Sequence, residues 1–333
     1  MSAPKVFFVT VLAAFSLLGV VSVVKKQKSK SIAPEIASSP LPNAPVAAPI
    51  AMPIEVKVSN NTKAVATKNV FKEMPVIDRL YQLFNTGQNK LPIVETLAYS
   101  STVPWLKGRP AWVADYAAYY GTSKHFIARS LNGSADYFNQ VVSAGSKFNV
   151  FRKDKKLQFH FVIDVDKLKL GLYYYDMDTK ERVLLKTYSI GLGRKDSLKP
   201  SGTLTPLGVY ALGDKIAIYS PGVVGFFHDQ KTEMIRVFGT RWIPFGQALE
   251  GATEPAKGYG IHGVPWIVDA KTNQLVENKE CVGKYESDGC IRLLNEDVEE
   301  IFAIVITKPT FVHIVKHFQD ANLPGIEVAT PTR

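Results

Sequence analysis

The stretch that decides the fold class is Leu157–Asp176, LQFHFVIDVDKLKLGLYYYD. It contains two short runs of alternating or aromatic residues, 157–164 and 168–176. Such runs are typical of β-strands, because β-branched and aromatic side chains pack well on a pleated surface. The stretch therefore predicts a pair of strands at the start of a β-rich region.

Further short segments of the same kind follow, separated by Gly, Asp and Pro. Asp176, Asp178 and Thr179 supply turn residues for a hairpin. One clear helix is predicted, NEDVEEIF, with Asn295 as its N-cap. The other predicted strands are VLLKTYSIGLG (183–193), GVYALGDK (208–215), MIRVFGT (234–240) and TFVHIVKHF (310–318). Many short strands with a single helix indicate a mainly β domain, built as a β-sandwich or a barrel-like sheet.

A smaller α+β region is predicted before these strands. It begins near Val76, where VIDRLYQLF places apolar residues on one helical face. Residues 110–121 are helical by pattern, and the following Thr-Ser pair can cap a second helix, KHFIARSL, which ends at Asn132-Gly133. The segment KFNVFR (147–152) is predicted to be a strand that closes the unit.

The order of these elements, over about residues 95–153, resembles a LysM carbohydrate-binding module. The likeness rests on helix, Gly-Thr-Ser, helix, Leu-Asn-Gly and then Gly145-x-x-Phe-x-Val. The usual Gly-Asp-Thr-Leu opening is absent, and the stretch between Gly133 and Gly145 is long. A LysM-like module implies binding to glycan, and a generic small helical domain is the alternative.

The N-terminus carries an uncharged apolar run of 19 residues, Val6–Val24. Because this run is long enough to span a bilayer as one helix, a membrane anchor is predicted, with a cleaved secretion signal as the alternative. Four lysines within residues 25–30 oppose an external location under the positive-inside rule. Residues 31 to about 53 are rich in Pro and Ala and, with the polar stretch 59–68, predict an extended tether.

The chain carries 40 Lys and Arg against 30 Asp and Glu, a formal net charge of +10. That excess favours encounter with anionic polymers or surfaces. The basic residues are dispersed along the chain and no nucleic-acid-binding motif occurs. Nucleic acid is therefore not a predicted partner, whereas lipid headgroups and an acidic cell wall are compatible with the charge.

The two cysteines, Cys281 and Cys290, do not form a Cys-x-x-Cys pair. Zinc ligation is therefore poorly supported, and neither a metal nor an organic cofactor is predicted. A disulfide between the two is geometrically conceivable, but a nucleophilic role would need the Cys290 thiol to stay free. His160 and His313 lie in predicted strands, where a histidine is more often a satisfied side chain of the sheet than a base.

Two elements hold the candidate chemistry. Gly289 allows a sharp turn that exposes the thiol of Cys290, with backbone N–H groups nearby for an oxyanion. His262 lies between small residues in Gly-Tyr-Gly-Ile-His-Gly-Val-Pro-Trp (258–266), where an imidazole can reach a ligand. A neighbouring imidazolium can lower the pKa of a thiol enough for thiolate to form at neutral pH. Each element alone is more often structural.

Together these elements resemble the signature of the YkuD-type L,D-transpeptidases. Ser287-x-Gly-Cys-Ile-Arg292 follows Ile261-His-Gly263, and Thr205-Pro-x-Gly-x-Tyr210 matches a segment early in that domain. The resemblance covers about residues 157–316. It implies a β-rich catalytic domain that transfers acyl groups on peptidoglycan stem peptides.

The resemblance also implies residue roles. Cys290 would attack the carbonyl of the third residue of a donor tetrapeptide and release the terminal D-Ala. His262 would take the thiol proton, and the Gly263 carbonyl would orient its ring. Arg292 would bind a substrate carboxylate or brace the turn through a salt bridge. The other supporting residues are Ser287, which supplies hydrogen bonds, Gly289 at the turn, and Tyr259 and Trp266 as lining of the cleft.

Two features depart from the family pattern. Asp288 stands where the family commonly has a second His. Its carboxylate would oppose thiolate formation if it pointed inward, and would matter little if it faced solvent or paired with a cation such as Arg292. The 24 residues between His262 and Ser287 are more than usual for the motif and predict a lid or a substrate wall.

The predicted function is peptidoglycan cross-linking by an L,D-transpeptidase. An L,D-carboxypeptidase that uses water as acceptor and a non-catalytic peptidoglycan-binding protein are the alternatives. The chain is expected in the cell envelope, on the periplasmic side of the inner membrane, with stem peptides, glycan and the membrane as partners. Its predicted parts are an anchor or signal (1–30), a linker (31–75), a small LysM-like domain (76–153), the catalytic domain (157–316) and a tail (317–333).

Overall fold

The computed structural model describes residues 73–133, 137 and 141–328. The predicted membrane segment, nearly all of the Pro/Ala-rich linker and the end of the predicted tail lie outside these residues. Within the described part, no helix is both long enough and apolar enough to cross a bilayer.

The secondary structure is mainly β, as predicted. The helices are α1 (Tyr81–Phe84), α2 (Val113–Tyr120), α3 (Lys124–Asn132), α4 (Ile235–Phe238) and α5 (Asn295–Val305). The strands are β1 (Val94–Ala98), β2 (Lys147–Phe151), β3 (Leu157–Asp164), β4 (Lys169–Asp176), β5 (Glu181–Ser189), β6 (Leu192–Gly193), β7 (Gly208–Leu212), β8 (Ala217–Ile218), β9 (Val224–Phe227), β10 (Gln230–Glu233), β11 (Arg241–Ala248), β12 (Gly260–Gly263), β13 (Trp266–Val268), β14 (Leu275–Glu277), β15 (Tyr285–Ser287), β16 (Ile291–Leu293), β17 (Thr310–Val315) and β18 (Ile326–Glu327).

The first elements form a strand, helix, helix, strand unit. β1 and β2 pair antiparallel, and the side chain of Ser123 caps α3 by accepting a hydrogen bond from the Phe126 N–H. The predictions of α2, α3 and β2 are confirmed, whereas β1 was not predicted. The helix predicted for VIDRLYQLF is wrong in extent, because Asp78 makes a β-bridge with Lys186 and only Tyr81–Phe84 are helical. Glycan binding by this unit stays a prediction.

A curled sheet of ten strands organises the chain from Leu157 onward. Its order is β16-β12-β11-β7-β17-β3-β4-β5-β18, with β8 beside β11. Most neighbours are antiparallel, but β12 with β16, β17 with β3 and β18 with β5 are parallel. The predicted β-sandwich or barrel therefore takes the form of one continuous sheet that curls.

The central strands of this sheet are covered on both faces. Because successive side chains of a strand point to opposite faces, Leu172 and Tyr174 of β4 enter the main core while Tyr173 between them packs with Phe318. The main core also includes Phe126 of α3 and Phe151 of β2. The N-terminal unit thus contributes to the core of the curled sheet, and it also has a smaller cluster of its own around Tyr116, Ile127 and Phe148.

Two local predictions from the sequence are wrong. MIRVFGT is not a strand, because Ile235–Phe238 form the short helix α4. Met234 and Ile235 are buried, and Met234 packs beside Gly225 of β9. Asn295 is not the N-cap of α5, since Leu294 occupies that position. The Asn295 side chain instead accepts from the Thr240 N–H at 2.8 Å and donates to the Val264 carbonyl at 3.1 Å.

Candidate active site

The turn that carries Cys290 lies between β15 and β16. The Ser287 hydroxyl braces it by donating to the Cys290 carbonyl at 2.7 Å and accepting from the Gly289 N–H at 3.1 Å. Gly289 has a φ of +119°, and a Cβ there would lie 2.6 Å from Tyr259 Cε1 and 2.8 Å from the Leu204 carbonyl oxygen. Glycine is therefore required twice, by the backbone conformation and by the close approach of its neighbours.

His262 lies in β12 and is buried. Its Nδ1 lies 2.8 Å from the Gly263 carbonyl oxygen. Because a carbonyl only accepts, Nδ1 carries the proton in the neutral ring, and the lone pair is on Nε2. The rings of Phe238 and Trp242 pack against the imidazole, with centroids 5.4 and 5.9 Å away. The ring is thus held in one tautomer and one orientation.

Parallel pairing of β12 with β16 brings the thiol and the imidazole to the same place. Ile261 pairs with Ile291 and His262 with Arg292, so Cys290 directly precedes the strand that runs beside the histidine. Both side chains line one cleft with a volume of about 580 Å³. Cys290 and His262, which the sequence motifs associate, therefore also line the same cleft in the structure.

Burial keeps both groups uncharged. It lowers the pKa of His262 to about 4, while the Gly263 and Phe238 carbonyls act in the opposite direction. It also raises the pKa of the Cys290 thiol to about 11, against smaller lowering effects of the Gly260 N–H and of Arg292. The thiol lies 3.6 Å from the Gly258 carbonyl oxygen, which can accept its proton in a hydrogen bond. The expected lowering of the thiol pKa by an imidazolium is therefore wrong for this state of the site.

The carboxylate of Asp288 points outward. It forms an ion pair with Arg194 at 2.7 Å, and both side chains are more than 60% exposed. Burial is the main cause of the raised pKa of Cys290, and Asp288 is the least of its causes. Arg292 has no carboxylate partner in the part of the chain that the structure describes, and its buried Nε has no hydrogen bond. A salt bridge of Arg292 that braces the turn is therefore not found there.

Two residues expected in the cleft are placed elsewhere. Tyr259 packs against the backbone of Gly289, on the side of the turn where a Cβ would clash. Trp266 lies in β13, in a hairpin with β14, and does not line the cleft. The predicted long loop between His262 and Ser287 contains this hairpin and a turn of 3-10 helix at Lys279–Cys281.

The cleft has walls that the sequence analysis missed. They come from the β9–β10 hairpin, α4 and β11, whose contributions are Phe227, His228, Arg236, Val237, Phe238 and Trp242. The only available signal was the aromatic and basic composition of 226–242, which also suits an ordinary strand region. None of these residues stands in a recognisable motif.

Both cysteines are free thiols, and the Cys281 thiol is buried and donates to the Asn278 carbonyl. Among residues 73–133, 137 and 141–328, no three His, Cys, Asp or Glu side chains are grouped as metal ligands would be.

Residues 160–314 match the family model of the YkuD L,D-transpeptidase catalytic domain. The match confirms the YkuD domain predicted from the motifs and lies inside the predicted range 157–316. The LysM-like unit stays a prediction.

Two solved structures are similar to the chain over about half of its length. Bd1075 from Bdellovibrio bacteriovorus is 16% identical with a TM-score of 0.33, and the alignment covers 48% of each chain. The helical cell shape determining protein Pgp2 from Campylobacter jejuni is 23% identical with a TM-score of 0.30 over 49% of each chain. The chain thus spans about half the length of the solved structures that it matches. A comparison with curated proteins finds no match.

Proposed function

We propose that the protein is a cysteine-dependent L,D-transpeptidase that cross-links peptidoglycan stem peptides. The observation that carries this proposal is the shared cleft of Cys290 and His262 inside a YkuD domain segment. A thiol at a braced turn and a histidine with an available Nε2 are the nucleophile and base that acyl transfer needs.

The proposed reaction has two acyl-transfer steps. The Cys290 sulfur attacks the carbonyl carbon of the third residue of a donor tetrapeptide while its proton passes to His262 Nε2. A C–S bond forms, the C–N bond to the terminal D-Ala breaks, and His262 returns the proton to the leaving amine. The side-chain amine of a second stem then attacks the thioester. The sulfur leaves and regains a proton, so the thiol is restored and an amide cross-link remains.

The timing of proton transfer follows from the site's electrostatics. With the pKa of Cys290 raised to about 11 and that of His262 lowered to about 4, a thiolate–imidazolium pair is disfavoured before substrate binds. We therefore place deprotonation of the thiol together with formation of the C–S bond. In that step His262 acts as a general base and does not hold a preformed ion pair.

The acyl acceptor is tested by incubating the protein with purified disaccharide-tetrapeptides and analysing the products by mass. Cross-linked dimers are the expected result. Tripeptides without dimers would replace the transpeptidase by an L,D-carboxypeptidase with the same acyl-enzyme. Unchanged substrate would favour a non-catalytic peptidoglycan-binding protein.

The nucleophile is tested by covalent labelling with a carbapenem, to which the family resemblance implies sensitivity. Cys290→Ala should abolish the adduct in intact-mass spectra. The second free cysteine provides the matched control, because Cys281→Ala should leave labelling in place. An adduct that persists in Cys290→Ala would remove Cys290 from the nucleophile role.

The proposal extends to the location of the protein and to glycan contact. An N-terminal anchor would place the YkuD domain on the periplasmic side of the inner membrane, where its substrate is found. A reporter active only outside the cytoplasm, fused after residue 75, should work only when residues 1–30 are present. Activity without them would refute the anchor or signal.

The LysM-like unit is proposed to bind glycan through exposed aromatic rings. The Trp112 side chain is 63% exposed, and Trp105 stacks on Tyr119 with centroids 4.4 Å apart. In a Cys290→Ala background, Trp112→Ala should reduce co-sedimentation with isolated sacculi. Tyr81→Ala, at an exposed aromatic residue outside the stretch 95–153 that resembles LysM, is the matched control. Equal sedimentation of both variants would return this unit to the role of a spacer.

A further inference from the structure

The wall of the cleft formed by β9, β10 and α4, here called the hairpin wall, is fixed firmly to the strand that carries the histidine. Phe238 of α4 packs edge-on against His262. Gly239, with a φ of +61°, lets the end of α4 approach so closely that a Cβ would lie 2.6 Å from the Gly263 carbonyl carbon. Side chains of α4 are therefore held at a set position relative to the base.

Arg236 is the cationic side chain that α4 contributes to the cleft. It is exposed, and it forms no ion pair with any carboxylate in the described residues. The acidic side chains nearest to it in the sequence and in the cleft are already engaged. Glu233 accepts a hydrogen bond from the Gly222 N–H, and Asp288 is paired with Arg194. Arg236 thus lines the cleft as an exposed cation without an ion-pair partner among the described residues.

The cleft has an unequal balance of charge. Arg236 on the hairpin wall and Arg292 in β16 both line it, and the single carboxylate among its lining residues is that of Asp288. An anionic ligand would find two guanidinium groups there, on two separate elements. Planar guanidinium groups bind carboxylates through paired hydrogen bonds, which gives them direction as well as charge.

We infer that Arg236 is a specificity-determining residue that binds a carboxylate of an acidic peptide lying in the cleft. This inference rests on the proposed function for the identity of the peptide, a peptidoglycan stem, whose free carboxylates supply the anion. Arg236 takes no part in bond making and acts by fixing where the peptide lies relative to Cys290.

The inference is tested by calorimetric titration of the full chain in a Cys290→Ala background, where no turnover occurs. The ligands are a stem tetrapeptide with free carboxylates and the same peptide with its carboxylates amidated. Arg236→Gln should weaken binding of the free-acid peptide by about tenfold to a hundredfold, the usual scale for a hydrogen bond to a charged group. It should change binding of the amidated peptide by less than about threefold, because the contact being removed is absent there.

Two further variants isolate the role of the guanidinium. Arg236→Lys keeps the charge and should recover part of the affinity, since an ammonium attracts a carboxylate without the planar fork. Lys231→Gln removes an exposed cation from β10 outside the cleft and should leave affinity unchanged.

Several results would overturn the inference. One is an equal loss of affinity for both peptides in Arg236→Gln, and another is no loss of affinity in that variant. A third is the absence of binding by the Cys290→Ala chain. Competition by inorganic phosphate as strong as that by the free-acid peptide would show a general anion site and would also overturn it. Failure of the proposed function looks different: the free-acid peptide would bind through Arg236, while the unaltered protein would form no acyl-enzyme with carbapenem or tetrapeptide.

Discussion

Asn295 offers a direct test of how the site is held, because its buried side chain ties three segments together. It connects the start of α5 to the Thr240 N–H before β11 and to the Val264 carbonyl after β12, the strand that carries His262. The packing is tight, since a Cβ on Gly263 would lie 2.0 Å from Asn295 Oδ1. Asn295→Ala removes both hydrogen bonds and leaves a donor and an acceptor unsatisfied.

The expected cost follows from those two groups. A buried polar group left without a partner costs about 1–3 kcal/mol, so the loss is a few kcal/mol in the free energy of unfolding. For a folded unit of this size each kcal/mol lowers Tm by roughly 2–4 °C, so Tm should fall by roughly 5–15 °C. Acylation by carbapenem should slow by roughly tenfold to a hundredfold even below the transition, because Gly263 holds the His262 ring and small misplacements are costly.

Thermal unfolding followed by circular dichroism measures the first effect, and intact-mass kinetics measure the second. Gln274→Ala is the matched control, since it removes an amide side chain that is exposed. A Tm within about 2 °C of the unaltered protein would contradict the magnitude expected for two buried unsatisfied groups.

Three further outcomes are expected. Asp288→Asn should change the acylation rate by less than about fivefold, because an exposed ion pair contributes at most about 1 kcal/mol; a hundredfold loss would mean that the carboxylate orients the base. Gly289→Ala should abolish acylation, since its φ of +119° and the adjacent contacts exclude a Cβ; retained acylation in a folded variant would refute this. Burial lowers the pKa of His160 to about 3 and that of His313 to about 4. The unfolded chain therefore binds more protons than the folded chain below about pH 6.5. As the pH is lowered from that value, the free energy of unfolding should decrease by about 1.4 kcal/mol per pH unit for each histidine. A double substitution to Gln should make that slope shallower in thermal unfolding, and an unchanged slope would exclude the pair as its cause.

The strands and the two residues that meet in the cleft could be predicted from the sequence because their signals are local. The bounds predicted for β3 agree with the structure, since aromatic and β-branched runs favour strands whatever surrounds them. Cys290 and His262 could be paired by motif order. Their actual closeness depends on parallel pairing between short strands nearly thirty residues apart, which no local pattern specifies.

The segment around α4 could not be predicted for the opposite reason. MIRVFGT has the apolar and β-branched composition of a strand, but burial of Met234 and Ile235 and the positive φ of Gly239 impose a helical turn. That turn carries Arg236 and Phe238 to the cleft. The cleft residues of this turn therefore depend on tertiary packing, which no local pattern shows. The sequence also predicts Asn295 as an N-cap, because capping is the commonest local use of an Asn at a helix start.

The neutral state of the thiol and the imidazole leads to a final prediction about pH. A free thiol that must ionise before attack has a pKa near 8.5 in an unperturbed cysteine. At any pH below that pKa, its reaction rate rises about tenfold for each unit by which the pH is increased. Here burial raises the pKa of Cys290 to about 11 and lowers that of His262 to about 4, so neither group changes charge between pH 6 and 9. If His262 removes the proton as the C–S bond forms, the rate should stay within about threefold across that range, because the reacting forms are fully populated throughout. Carbapenem acylation at saturating concentration measures this rate, and alkylation of a free cysteine peptide by iodoacetamide provides the steep reference. A tenfold rise per pH unit between pH 6 and 8 would show that thiolate forms first and would overturn the role given to His262.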